Sequence, residues 1–159
     1  MGQFSMNGLE FEFPENWQDQ GMVTLTIPNP DESVRPNIII TKERLLEPMD
    51  IQTYFKKIKD AVQARGIQSF EIIDERSVVL AGVSGMQMVC RWDLAAMKKI
   101  MGPNADALKN IKPGQKVQQI QVSLIHNNIA INITASFPAD QFDIYTRPFQ
   151  KFLKSLKVA

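Results

Sequence analysis

The chain has 159 residues, the size of a single folding unit of about 100–200 residues, so one domain spanning 1–159 is expected. Hydrophobic residues make up 44% and charged residues 22%, which excludes a disordered or fibrous chain. With 18 basic against 17 acidic residues, nucleic acid is excluded as the main partner. A single cysteine excludes an internal disulfide, and a single histidine leaves little with which to build a zinc site.

The N-terminal run Met1-Gly2-Gln3-Phe4-Ser5-Met6 has neither the basic start nor the apolar stretch of a secretory signal, and no run approaches the length of a membrane span. A cytoplasmic location is the expectation. Leu9, Phe11 and Phe13 alternate with Glu10 and Glu12, which predicts a half-buried strand ended by Pro14. Met22–Ile27 predicts a second strand, Pro28-Asn29-Pro30-Asp31 a loop, and the β-branched run Asn37–Leu45 a third strand. Ile51, Tyr54, Phe55, Ile58 and Val62 then recur at helical spacing, with Asp50 placed as N-cap and Gly66 as the left-handed stop.

Four further strands follow: Phe70–Leu80, Ser84–Leu94, Lys116–His126 and Ile129–Phe137, with turns at Ala81-Gly82 and Asn127-Asn128. The C-terminal stripe Phe142, Tyr145, Phe149, Phe152, Leu153 and Leu156 is helical, and Pro148 predicts a short turn followed by a fresh helix from about 147 to 156 capped by Thr146. Residues 95–114 are read as a helical or loop insert closing one end of the sheet, basic through Lys98, Lys99, Lys109 and Lys112. The order is three strands, a helix, two strands, the insert, two strands and a helix. It predicts an α+β fold, an antiparallel sheet packed by helices.

Catalytic chemistry is not visible in the pattern. His126 has no nucleophile or orienting carboxylate near it in sequence, and it reads as the rim of a hairpin. Cys90 is in phase with Met86, Met88 and Trp92, so it reads as a core thiol rather than a nucleophile. Gly82-Val83-Ser84-Gly85 and Lys112-Pro113-Gly114-Gln115-Lys116 have no phosphate-loop spacing. No enzyme activity, cofactor or metal is expected.

One feature is unusual for a solvated sheet. The face opposite the main core set is expected to carry Met22, Thr24, Thr26, Ile39, Thr41, Gln87, Val89, Gln121, Ser123, Ile125 and Thr134, and it is almost free of charge. Such a face is either covered by a helix of the same chain or used to hold a partner. Met22, Thr24, Ile39, Thr41, Gln87, Val89 and Gln121 are therefore the candidate partner-binding residues.

The segment Phe13-Pro14-Glu15-Asn16-Trp17-Gln18-Asp19-Gln20-Gly21-Met22-Val23-Thr24 resembles the opening of the DcrB-related family. Arg35–Glu43 and the ending Phe137-Pro138-Ala139-Asp140-Gln141-Phe142 fit the same family. The resemblance implies a PsbP-like α/β/α sandwich. It also splits the function two ways, between an envelope-lipoprotein branch and a cytoplasmic branch. With no signal or lipid-attachment cysteine read in the sequence, the expectation is the cytoplasmic branch, which includes the Eag chaperones of type VI secretion that hold transmembrane segments of effectors before export and pair as homodimers. Met22, Thr24 and Ile39 match positions where that family lines its groove with aliphatic residues, Thr24 departing from the aliphatic pattern. The competing expectation is a PsbP-like scaffold that binds a folded protein through its loops, the basic insert included. Trp17 and Asp19 are read as structural, the indole packing over the sheet edge and the carboxylate accepting backbone N–H groups in the turn.

Overall fold

The computed structural model describes residues 2–6, 9–17, 21–28, 35–96 and 114–158. Strands β1 (Gly2–Met6) and β2 (Leu9–Phe13) pair with each other as a separate two-stranded sheet. Six strands build the main sheet: β3 (Met22–Thr26), β4 (Asn37–Arg44), β5 (Glu71–Leu80), β6 (Val83–Asp93), β7 (Lys116–His126) and β8 (Ile129–Pro138). Their spatial order is β3-β4-β8-β7-β6-β5, every pair antiparallel. Helix α1 (Ile51–Ala64) follows β4, and helix α2 (Phe142–Ser155) follows β8 through a one-turn 3-10 segment, Ala139–Gln141.

Turn chemistry sets this order. Asn127 and Asn128 take φ of 50° and 62°, the left-handed pair that a two-residue hairpin requires and that asparagine tolerates. Ala81 and Gly82 make the same turn between β5 and β6, at φ 52° and 76°. At the start of α1 the Asp50 carboxylate accepts a 2.7 Å bond from the Thr53 amide. These bonds to the backbone hold its pKa below the ordinary carboxylate value. Gly66, at φ 64°, follows the last turn as the left-handed stop.

The antiparallel sheet lies between the two helices. On one face Phe149 and Leu153 of α2 join Ile38, Ile120, Val122, Leu124, Ile133, Ala135 and Phe137 in the largest core cluster. Phe137 is completely buried and meets Phe142, Tyr145 and Phe149 at ring distances of 6.1, 5.4 and 5.9 Å. On the other face Phe55 of α1 packs with Met88, Cys90, Trp92, Leu94 and Val117, while Tyr54 packs with Leu45 and Ala130. The expected α+β sheet packed by helices is therefore the observed one.

Two expectations are corrected. Strand β1 was not expected, and it precedes the three strands read before the first helix. The C-terminal helix does not restart at residue 147. It runs unbroken from Phe142 to Ser155, and Thr146 sits inside it, its hydroxyl donating to the Phe142 carbonyl at 2.7 Å. Pro148 and Ile144 are both exposed, so solvent can satisfy the Ile144 carbonyl that the missing Pro148 N–H would have served, while the aromatic stripe keeps the helix on the sheet. The expected loop at Pro28–Asp31 lies mostly outside the described residues, as does all of the basic insert from 97 to 113.

Gly85 on β6 is a point of close approach. A Cβ there would lie 2.7 Å from the Ser123 carbonyl oxygen and would press on the Leu124 side chain. Neither can yield easily, because one is backbone and the other is buried in the core. Gly85→Ala is expected to destabilise the protein by about 1–3 kcal/mol, the usual range for overpacking, read as a lower urea midpoint at unchanged slope.

Candidate functional site

Residues paired directly across an antiparallel sheet share a face, so the register arranges the α1 side into rows. One row runs Met22, Thr41, Asn132, Ser123, Met86 and Ser77 across β3, β4, β8, β7, β6 and β5. The next runs Thr24, Ile39, Thr134, Gln121, Met88 and Glu75, and a third runs Thr26, Asn37, Ser136, Gln119, Cys90 and Ile72. The β6 ends of these rows are apolar and lie in the α1 core cluster or pack against it. The β3–β4–β8 ends are Met, Ile, Thr, Asn and Ser, and they are exposed or half-buried. Met22 is 69% exposed.

Five of the candidate residues, Met22, Thr24, Ile39, Thr41 and Gln121, are thus brought together in two adjacent rows. Gln87 and Val89 are not. Their rows run through Val122, Ile133, Ile40 and Val23, and through Ile120, Ala135, Ile38 and Leu25, which lie on the α2 side. Both are buried there, Val89 within the main core cluster. The physical reason is that the more apolar set of β6, Met86, Met88, Cys90 and Trp92, lies on the same face as the strip, and alternation separates the two sets without showing which of them joins Met22 and Thr41.

Where α1 meets these rows, a chain of polar side chains fixes it. Ser123 Oγ donates to Asn132 Oδ1 at 2.7 Å, Asn132 Nδ2 donates to the Tyr54 hydroxyl at 2.7 Å, and that hydroxyl donates to Glu43 Oε2 at 3.1 Å. Ser123 is wholly buried and Tyr54 nearly so, and each is satisfied within this chain. Deeper in the third row Gln119 Nε2 donates to Ser136 Oγ at 3.1 Å. The candidate face is therefore a strip whose floor, Ile39, Thr41 and Thr134, carries no charge, bounded on one side by Tyr54 with its partners Asn132 and Glu43. Its open side is β3, an edge strand in which every residue is exposed.

Sequence reasoning missed Asn132 and Tyr54 as the wall of this strip. The available signal was Asn132 breaking an otherwise aliphatic and threonine-rich strand. Trp17 does not pack over the sheet edge as expected. It is 64% exposed, its amide donating to the Pro14 carbonyl in a turn, and Asp19 lies outside the described residues.

Cys90 is buried, and burial pushes its thiol up to about 12, so it is protonated at neutral pH. His126 is half-buried at the end of β7 beside the Asn127-Asn128 turn. No cluster of metal-ligating side chains occurs among the described residues. No helix among them is long and apolar enough to cross a membrane.

Two tests follow from this geometry. Cys90 is expected to resist iodoacetamide at pH 8 in the native state and to react once urea unfolds the protein, as followed by mass spectrometry. Burial, and then the neighbouring Glu43, raise the Tyr54 pKa above its ordinary 10.0. A raised folded-state value means that its contribution is complete below pH 10 and is lost as pH rises through the folded value. Tyr54→Phe, which strands Asn132 and Glu43, is expected to cost about 1–2 kcal/mol at pH 8 and to flatten the decline above pH 10 in urea titrations.

No curated protein matches the chain. A solved structure from Pseudomonas aeruginosa, a protein of unknown function called PA94, superposes with a TM-score of 0.74 at 11% identity, covering 100% of this chain and 97% of that one. This likeness establishes the shared fold. The solution structure of PsbP from the cyanobacterium Synechocystis sp. PCC 6803 aligns over 94% of this chain and 86% of its own, at 12% identity and a TM-score of 0.45. The DcrB family model matches residues 9–105, more than half of the chain and including most of the strip, so the chain belongs to the DcrB family.

Proposed function

We propose that this protein is a non-enzymatic cytoplasmic chaperone, acting as a homodimer, that shields hydrophobic transmembrane segments of a type VI secretion effector before loading and export. The observation that carries this reading is the uncharged strip formed by Met22, Thr24, Ile39 and Thr41, left beside α1 on a sheet whose other face carries the larger core under α2.

The strip suits such cargo for physical reasons. Met22 and Ile39 offer adaptable apolar contact, and threonine presents a methyl group beside a hydroxyl that stays solvated when the site is empty. An apolar helix laid here removes its own surface from water at about 25 cal/mol per Å² of apolar area, offset in part by the cost of association. Gln121, next to Thr134 in the second row, is buried and lies at the inner margin of the strip, outside its open surface. Gln87 and Val89, on the opposite face, drop out of the contact set.

The two sheet edges favour self-association through β3. Edge strand β5 carries Glu71, Asp74, Glu75 and Arg76 and is interrupted by a bulge between Ile72 and Asp74, the usual protections against edge pairing. Edge strand β3, Met-Val-Thr-Leu-Thr, has no charge. Two copies pairing there would set their strips side by side and enclose a helix from both sides.

Co-expression with effector fragments that contain or lack their hydrophobic N-terminal segments, followed by affinity capture, tests the reading. Co-purification is expected only when those segments are present. Met22→Asp and Ile39→Asp each remove an apolar contact of about 1.5–3 kcal/mol and set a carboxylate against the cargo, so binding should weaken by roughly tenfold or more at unchanged circular dichroism. Capture that ignores the hydrophobic segments, and that is lost on charge reversal at Lys98, Lys99 and Lys109, would overturn it in favour of a loop-mediated scaffold.

A further inference from the structure

A second feature lies on the α2 side, across the sheet from the strip. Helix α2 ends at Ser155, and Leu156 then turns to extended backbone with ψ of 138°. The three residues Leu156, Lys157 and Val158 lie over the sheet without filling the space beneath them. A cavity of about 220 Å³ remains there, floored by Ile40, Leu124, Ile131 and Ile133. It is larger than the apolar cavity of about 150 Å³ that is known to hold a benzene ring in another protein, so it has room for a chain of about six to eight carbons.

The charged residues described in its lining have one sign. Among the described residues Lys42 and Lys157 line the cavity, and no acidic side chain does. Lys42 lies across from Ile131 in the register and so shares a face with the aliphatic floor, where a charged residue interrupts an apolar row. Lys42 already makes an interaction within the protein, and an ammonium with three N–H donors can serve a further acceptor. Lys157 is exposed, on the segment that lies over the cavity. An apolar hole whose described lining holds cations and no anion complements a molecule with a short hydrocarbon tail and an anionic head.

We propose that this cavity binds a single-chain aliphatic carboxylate, the tail seated on the isoleucine floor and the carboxylate between Lys42 and Lys157. The site is independent of the strip on the other face, and its failure would leave the chaperone reading untouched.

Titration of the full chain with octanoate, followed by calorimetry, is the test. Saturable binding with a dissociation constant of about 0.1–1 mM is expected, from the burial of some seven methylene and methyl groups less the cost of association. Lys42→Ala and Lys157→Ala should each weaken it about three- to fivefold, the span of a partly exposed ion pair, and octan-1-ol should bind more weakly than octanoate. Val158→Trp, which fills the cavity from the terminal segment, should reduce affinity more than tenfold at unchanged thermal midpoint. If that variant shifts the midpoint, Ile131→Phe fills the floor instead. No saturation below 10 mM octanoate, equal binding of the alcohol, or full affinity in both filled variants would overturn the proposal. Phosphatidylglycerol vesicles separate the two sources of such a ligand. A cavity for one short chain predicts no co-sedimentation, and sedimentation abolished by Val158→Trp would overturn the free-acid assignment.

Discussion

One helix cannot cover one face of a six-stranded sheet, and the rest of this structure follows from that mismatch. A helix of fourteen residues is about 21 Å long and about 10 Å wide, whereas six strands of some nine residues span about 24 by 30 Å, so a single helix shields roughly a third of a face. Among the described residues each face has one such helix. The remainder must be closed by large side chains, by other segments, or by something outside the chain, or else be made of residues that tolerate water. On the α2 side the first solution dominates: Phe142, Tyr145, Phe149 and Phe152 spread the footprint of the helix over Phe137 and its neighbours. On the α1 side the chain uses the last solution, and the rows lose apolar character as they leave β6 for β4 and β3.

The same mismatch explains why buried polar groups are concentrated at the inner margin of the strip. A helix seated on apolar residues alone could slide across the sheet, because dispersion contacts have little directional preference. Ser123, Asn132, Tyr54 and Glu43 form a hydrogen-bonded chain with one geometry, so α1 has one position and the strip beside it one width. A second tie closes the end nearest the helix: the Asn128 side chain donates to the Leu45 carbonyl at 2.9 Å while the Leu45 amide donates to the Asn128 carbonyl at 3.0 Å. The loop leading into α1 is thereby bound to the tip of the β7–β8 hairpin.

Much of this was legible from the residues. Alternation located the strands of the main sheet, the Asn127-Asn128 pair located its hairpin turn, and Asp50 with Gly66 bounded α1, because each of those signals is local. What failed was non-local or out-competed. Which face Gln87 and Val89 occupy depends on the pairing of β6 with β7, and alternation within β6 separates its two sets without assigning either to the face of Met22 and Thr41. Pro148 reads as a break, and the aromatic stripe around it overrides that local preference because the proline falls on the wet side of the helix. In β5 the register shift between Ile72 and Asp74 changes the phase in mid-strand, which no strict period of two can follow.

Threonine is the residue that makes an open strip compatible with an unprotected edge. An uncovered row of valine or isoleucine beside β3, whose Val23 and Leu25 are already 41% and 42% exposed on the other side, would present a flat apolar strand on both faces. Such a strand pairs with any similar strand it meets. Thr24, Thr26 and Thr41 keep the branched shape that suits a pleated strand, and their hydroxyls retain water when nothing else is bound. The cost is weaker apolar contact per residue, which a longer cargo segment or a second protomer can restore by adding area. A strip built from aliphatic residues alone would bind more tightly and also self-associate more readily. The composition of these rows sits between those two failures, and the proposed shielding role requires that balance.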